Sequence, residues 1–273
     1  MALFTADWRH IFRHRAASVV LGVTVGLNCT PMPAGTAMID EIQVYTDAIN
    51  KPGEFGLELH FNATPKGRSA PDFPREITPE HGLRFTPEFS YGLTRELEAG
   101  LYVPYARDSG GTTHFAGPKV RLKWLPLQPN EEGHGWFMGA NFEYAWVAPE
   151  FEQSRHTIEL RPIIGHRSED WLLVANPVLG WVLDGPDHDG KPDFSPSVKV
   201  ARNVASGLAL GVEYYAELGK VNDILPHRQQ SHTLYFALDY DRKPWTFNVG
   251  VGRGLNGATD RWTLKTIVEI PID

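Results

Sequence analysis

Cysteine is nearly absent. The 273 residues contain one, Cys29, so neither a disulfide framework nor a cysteine metal cage is available. Long apolar runs are missing too: no stretch reaches the ~18 residues of a spanning helix, which excludes a helical inner-membrane transporter. Positive charge is scarce, 26 Lys and Arg against 33 Asp and Glu for a net charge of −7. A general nucleic-acid binder should show a basic face, so none is expected as a partner. No helical stripe is found between Gly53 and Asp273. What is present is 42% apolar and 11% aromatic content, which argues against wholesale disorder, in a length suited to one large all-β domain or two ordinary ones.

The first 37 residues read as an export signal. Arg9, Arg13 and Arg15 form a basic start, residues 16–27 are apolar, and small residues close the stretch at Pro33-Ala34-Gly35-Thr36-Ala37. That order predicts cleavage after Ala37. A short buried helix is the competing reading, and the lack of polar alternation in the run counts against it. Asn28 stands where a lipoprotein signal before Cys29 needs a small residue. Removing three arginines and Asp7 leaves 23 basic against 32 acidic residues, or −9, and no cysteine. That suits an oxidising compartment.

The rest alternates with period two. Phe55, Leu57, Leu59 and Phe61 interleave with Gly56, Glu58, His60 and Asn62; Val120, Leu122 and Trp124 interleave with Lys119, Arg121 and Lys123. Comparable runs recur to the C-terminus and give about twelve strands, many near the ~9–11 residues that cross a bilayer when tilted. Residues 171–183 are apolar on both faces, so their orientation stays open. Pro87, Pro162, Pro177 and Pro196 each remove a ladder donor and are expected to mark bulges.

A β-sandwich or a lipocalin-like barrel would also alternate. Loop lengths separate these from a membrane barrel. Gaps after odd strands (63–82, 107–115, 148–156, 184–193, 219–231, 253–260) are longer than those after even strands (92–95, 166–170, 203–207, 241–244), with 126–135 the exception. Short periplasmic turns and long extracellular loops are the outer-membrane arrangement. Tyr91, Trp124, Trp136, Trp171, Tyr240 and Trp245 fall beside the short turns, and Tyr105, Trp146, Trp181 and Trp262 beside the long loops. These are expected as membrane-interface girdles. The resulting expectation is a closed antiparallel transmembrane β-barrel over 53–273 in the outer membrane of a Gram-negative bacterium, contacting its lipids and lipopolysaccharide. Residues 38–52 precede it, as a plug in the lumen or a periplasmic tail.

The charged face then lines the lumen. Its candidate residues are Glu58, His60, Arg84, Glu88, Glu98, Lys119, Arg121, Lys123, Glu143, Glu159, Arg161, Lys199, Glu213, Asp239, Arg261, Lys265 and Glu269. They serve either as a cross-strand ion network or as a selective wall for a small solute. Lys119, Arg121 and Lys123 could form a basic track or pair with Glu98. No cofactor and no metal-ligand set is implied. The alternatives from other classes are an outer-leaflet hydrolase and a structural barrel with a blocked lumen. Ser154 with His156, and Ser231 with His232, are candidate nucleophile-base pairs, but polar residues that simply start a strand at the outer rim are the favoured explanation of them. The loop Asp184-Gly185-Pro186-Asp187-His188-Asp189-Gly190 hints at calcium but lacks the spacing and closing Glu of an EF-hand.

The stretch Pro87–Tyr105, with Tyr91-Gly92-Leu93-Thr94 followed by Leu97-Glu98-Ala99-Gly100-Leu101-Tyr102-Val103-Pro104-Tyr105, resembles an early hairpin of the MetA-pathway-of-phenol-degradation family of proteobacterial outer-membrane proteins. Residues 41–45, 51–60 and 161–165 resemble other segments of its relatives. The resemblance implies a transporter-like barrel, aromatic or otherwise hydrophobic solutes, and no catalytic residues. The chain departs from many outer-membrane barrels in ending Ile270-Pro271-Ile272-Asp273 rather than in Phe, the usual signal to the assembly machinery expected as a partner.

Overall fold

The computed structural model describes residues 41–272; the expected signal, its cleavage point and residues 38–40 lie outside the described residues. Strands β1 (Phe55–Lys66), β2 (Leu83–Gly92), β5 (Gly135–Trp146), β6 (His156–Arg167), β11 (Trp245–Gly254) and β12 (Trp262–Ile272) run unbroken. Six others carry an interruption or a separate extension: β3 (Leu97–Tyr102, Tyr105–Arg107), β4 (Thr113–Phe115, Lys119–Leu127), β7 (Trp171–Asn176, Leu179–Val182), β8 (Asp193–Phe194, Ser197–Ala205), β9 (Leu208–Glu217, Gly219–Lys220) and β10 (Asp223–Ile224, Ser231–Arg242). Each strand pairs antiparallel with its chain neighbours. β1 closes the circle on β12, with Phe55 opposite Ile272 and Lys66 opposite Trp262. Closure matters because an open edge in hydrocarbon would leave backbone groups unpaired.

The period of two decides which side chains face where. Outward residues are apolar and exposed, Phe236 at 69% and Trp136 at 65%, while Glu88, Glu213 and Lys265 are each 1% exposed on the inner side. A soluble barrel would reverse this order, because charged side chains are almost never fully buried unless paired.

Prolines account for four of the interruptions. Pro104 and Pro118 sit at the breaks in β3 and β4, Pro177 and Pro196 at those in β7 and β8. The facing gaps of neighbouring strands stay linked by backbone hydrogen bonds, Ala116 N–H to Pro104 O at 2.9 Å and Ser195 N–H to Val178 O at 3.0 Å. Pro87 and Pro162 do not break their strands, contrary to expectation, and stand in register with Leu59 and Ala140.

The connections sort as the loop lengths suggested, with two adjustments, one being that Gly219–Lys220 pairs with Asp223–Ile224 inside the expected 219–231 loop. In the other, Thr113–Phe115 pairs with Tyr105–Arg107, so the long-loop side is shorter there than the sequence indicates. The ambiguous stretch is also resolved: Val174, Asn176 and Val178 are buried on the inner side, while Trp171 and Leu173 are exposed.

Candidate functional site: the lumen and the segment inside it

Residues 41–50 run inside the barrel, held by inward-facing groups of many strands, and Lys51 and Pro52 emerge exposed before β1. Lys119 Nζ contacts Glu41 Oε2 at 2.9 Å, Lys265 Nζ donates to Ile42 O at 3.1 Å, and Arg161 Nη1 donates to Gln43 O at 3.1 Å. Asn176 brackets the backbone of Tyr45, accepting from its N–H at 2.7 Å and donating to its carbonyl at 3.1 Å. The Tyr45 hydroxyl meets those of Tyr102 and the carboxylate of Glu143, and Arg161 lies 4.5 Å over its ring. Arg167 grips Asp47 with Nε at 2.9 Å and Nη2 at 2.5 Å, a bidentate pair. Lys123 donates to Ala48 O, Glu98 accepts from the Asn50 N–H at 2.6 Å, and the Asn50 amide donates to Ser90 Oγ at 2.7 Å.

This segment explains why β7 is apolar on its inner face. Val44 and Tyr45 pack with Leu125, Phe137, Ile163 and Val174, and Ile49 and Leu172 join them. The inner wall needs apolar residues where the segment brings its own. Glycine makes room at the short-turn end. A Cβ on Gly92 would lie 2.1 Å from Lys51 O, so only glycine lets the segment's last residues cross β2 there.

Many other inward charges pair along the wall. Arg121 Nη2 bridges Glu88 at 2.5 Å and Glu98 at 2.7 Å. Lys199 spans Glu213 at 3.2 Å and Asp239 at 2.8 Å, and Lys265 also reaches Glu213. Lys119 contacts Glu143 at 2.9 Å, and Arg161 contacts Glu159 at 2.8 Å. His60 stands 3.1 Å from Glu88. Glu58 and Glu269 are in register on the same wall. Arg261 is a correction to the sequence reading. It is exposed in the loop before β12, where its carbonyl accepts from Arg253. The parity of β12 counted back from Lys265 would have placed it inside, but the strand begins only at Trp262.

Beyond the segment, toward the long loops, the lumen holds a cavity of about 280 Å³ between Glu41, Arg84, Lys119, Glu143, Arg161 and Tyr235. Phe151 of the 147–155 connection folds over it, with Ala106, Ala116 and Ile77 packed around. Arg84 lies 4.7 Å over the Phe151 ring. Loop residues therefore line the outer end of the cavity, and the inner half is filled by chain.

The aromatic residues at strand ends all stand on the outer face. Tyr91, Tyr105, Trp124, Trp136, Trp146, Trp171, Tyr240, Trp245 and Trp262 are exposed, and Trp181 is partly so.

The two serine-histidine pairs are not assembled for catalysis. His156 Nδ1 is hydrogen-bonded to Tyr144 Oη at 2.6 Å, and Ser154 Oγ is buried with no hydrogen-bond partner among the described residues. His232 has both nitrogens engaged, Nδ1 with Tyr214 Oη at 2.6 Å and Nε2 with Gln230 Oε1 at 3.0 Å. The acidic loop is occupied internally too. Asp184 accepts from the backbone N–H of Arg155 and His156 at 2.8 and 3.0 Å, which holds its carboxyl below the usual range. Asp189 accepts from the Lys191 N–H and meets Lys220.

Sequence reasoning singled out neither Tyr45 and Asn176 nor Tyr102 and Tyr235. The last two were readable as inward by parity but carry no charge to attract notice. Asn176 sat in the stretch whose parity was open, and Tyr45 lies in no periodic pattern.

No protein-family model and no curated protein matches the chain. Solved structures do. An outer membrane channel of Pseudomonas putida F1, COG4313, superposes with a TM-score of 0.59 at 14% identity over 85% of this chain and 100% of that one. The KdgM porin gives 0.53 at 10% identity over 80% and 99%. At such identities the likeness is one of fold. The chain is built like outer-membrane channel barrels, and the narrower resemblance to the phenol-degradation family finds no matching model.

Proposed function

We propose that this protein is a narrow outer-membrane channel for small solutes, held shut at rest by residues 41–52. The observation that carries the reading is the chemistry of that segment's attachment. It is fixed largely by hydrogen bonds and ion pairs that water or a polar solute can replace, rather than by pairing as a strand. A lumen filled by barrel side chains alone would need no such insert. Solved neighbours named as an outer membrane channel and a porin support the same class of function. The girdle residues would rest at the two lipid-water interfaces and contact phospholipid and lipopolysaccharide. Export by the cleaved signal and insertion by the outer-membrane assembly machinery belong to the same reading, as does a non-enzymatic role.

The solute preference is proposed as aromatic or otherwise hydrophobic, because the cavity places Phe151 and Tyr235 beside its charged wall. Flux into proteoliposomes tests this. Phenol and benzoate are expected to enter faster than glucose, and the opposite order would remove the aromatic preference. A structural barrel with a permanently blocked lumen is the second reading, favoured by the same insert, and it predicts no flux of any solute.

A further inference from the structure

Three carboxylates lie abreast on the inner wall. Glu58 of β1 stands opposite Glu269 of β12 on one side and Glu88 of β2 on the other. Like charges directly opposite across a ladder are destabilising, so positive charge must be supplied there. Arg121 supplies some of it, but at Glu88 Oε1 and Glu98. Among the described residues no Lys or Arg is within ion-pair distance of Glu58.

His60 occupies that gap. Its Nε2 is 3.1 Å from Glu88 Oε2 and 3.7 Å from Glu58 Oε2, and ligand-capable atoms of the three residues all lie within 4.8 Å of one another. A tetrahedral ion with bonds of ~2.0–2.1 Å has ligand-ligand edges of about 3.3–3.4 Å, which these two distances bracket. The segment contributes a further group. Gln43 Nε2 donates to Glu58 Oε2 at 3.0 Å, while Gln43 Oε1 is buried without a partner among the described residues. That oxygen belongs to a side chain already touching the cluster and could complete a fourth position.

We propose that Glu58, His60 and Glu88 form a binding site for a divalent transition-metal ion inside the lumen. One imidazole with two carboxylates suits zinc and its neighbours. The ion takes the Nε2 lone pair, so on binding any proton there leaves to solvent. Glu88 keeps Arg121 on its other oxygen. Among the described residues His60 Nδ1 has no hydrogen-bond partner, so none of them commits the ring to a tautomer that would block Nε2. Through Gln43 the bound ion links β1 and β2 to the segment.

The site is independent of whether the barrel conducts. The mature full-length protein, folded in detergent in the presence of Co²⁺ and then freed of excess, is read by visible d–d absorption. One equivalent is expected, with affinity lowered at least tenfold by His60→Ala and by Glu58→Gln and unchanged by Glu131→Gln in an exposed turn. If His60→Ala does not fold, the near-isosteric Glu58→Gln decides. Protein that takes up no Co²⁺ overturns the proposal, and so does uptake that survives both substitutions; either result means that a protonated His60 alone bridges the two carboxylates.

Discussion

Glu213 shows what the inner wall demands of one residue. It is 1% exposed and serves two ammonium groups, Lys199 and Lys265. Glu213→Gln leaves the buried Lys265 short of its counterion and Lys199 with Asp239 alone. Breaking such a group is expected to cost about 3–5 kcal/mol, read as a lowered urea midpoint. Gly92 makes the complementary point about space. Gly92→Ala puts a methyl group against Lys51 O, and the expected outcome is displacement of residues 50–52, measured as faster amide exchange there, while β2 keeps its pairing. Most of this was legible in the sequence, since the polar parity of β1, β2, β4 and β9 already marks Glu58, Arg121 and Glu213 as sharing one face. Contacts across the lumen were not legible. Glu58 and His60 are two apart in the chain, but Glu88 reaches them only through the β1–β2 register, so no spacing announces the cluster.

At the scale of elements, the N-terminal segment is the part that the sequence could not place. It has no strand period and no charge pattern of its own, and its position depends on partners spread from Glu58 to Lys265. Its attachment can be tested by a charge exchange at one clamp. Asp47→Arg alone sets two cations together beside Arg167 and is expected to free the segment, seen as new protease cleavage within 41–52. Adding Arg167→Asp is expected to restore protection. The loops obey a different logic. Asp184 is depressed by two backbone donors, so what it adds to loop order is present above the ordinary Asp value of ~3.9 and is lost as pH falls through its lower folded value. Protection factors of the Arg155 and His156 amides should therefore hold at pH 7 and drop in acid. Asp184→Ala should lower them at pH 7 and abolish the pH dependence.

Taken whole, the molecule is inverted relative to a water-soluble protein, with rings and aliphatic chains outward and ion pairs within. The inversion was readable because a period of two separates the faces without any knowledge of tertiary contacts. The wall breaks were only half readable: proline marks them, yet Pro87 and Pro162 show that proline alone does not predict one. The claim that the lumen is a pathway closed by its own chain meets its most direct test in single-channel recording. The full-length barrel and a variant lacking residues 41–50 are compared in planar bilayers under identical salt. Rare, small current steps for the full chain and frequent, larger ones for the deletion are the predicted result. Equal currents from the two proteins, or a properly folded deletion variant that stays silent, would contradict the account.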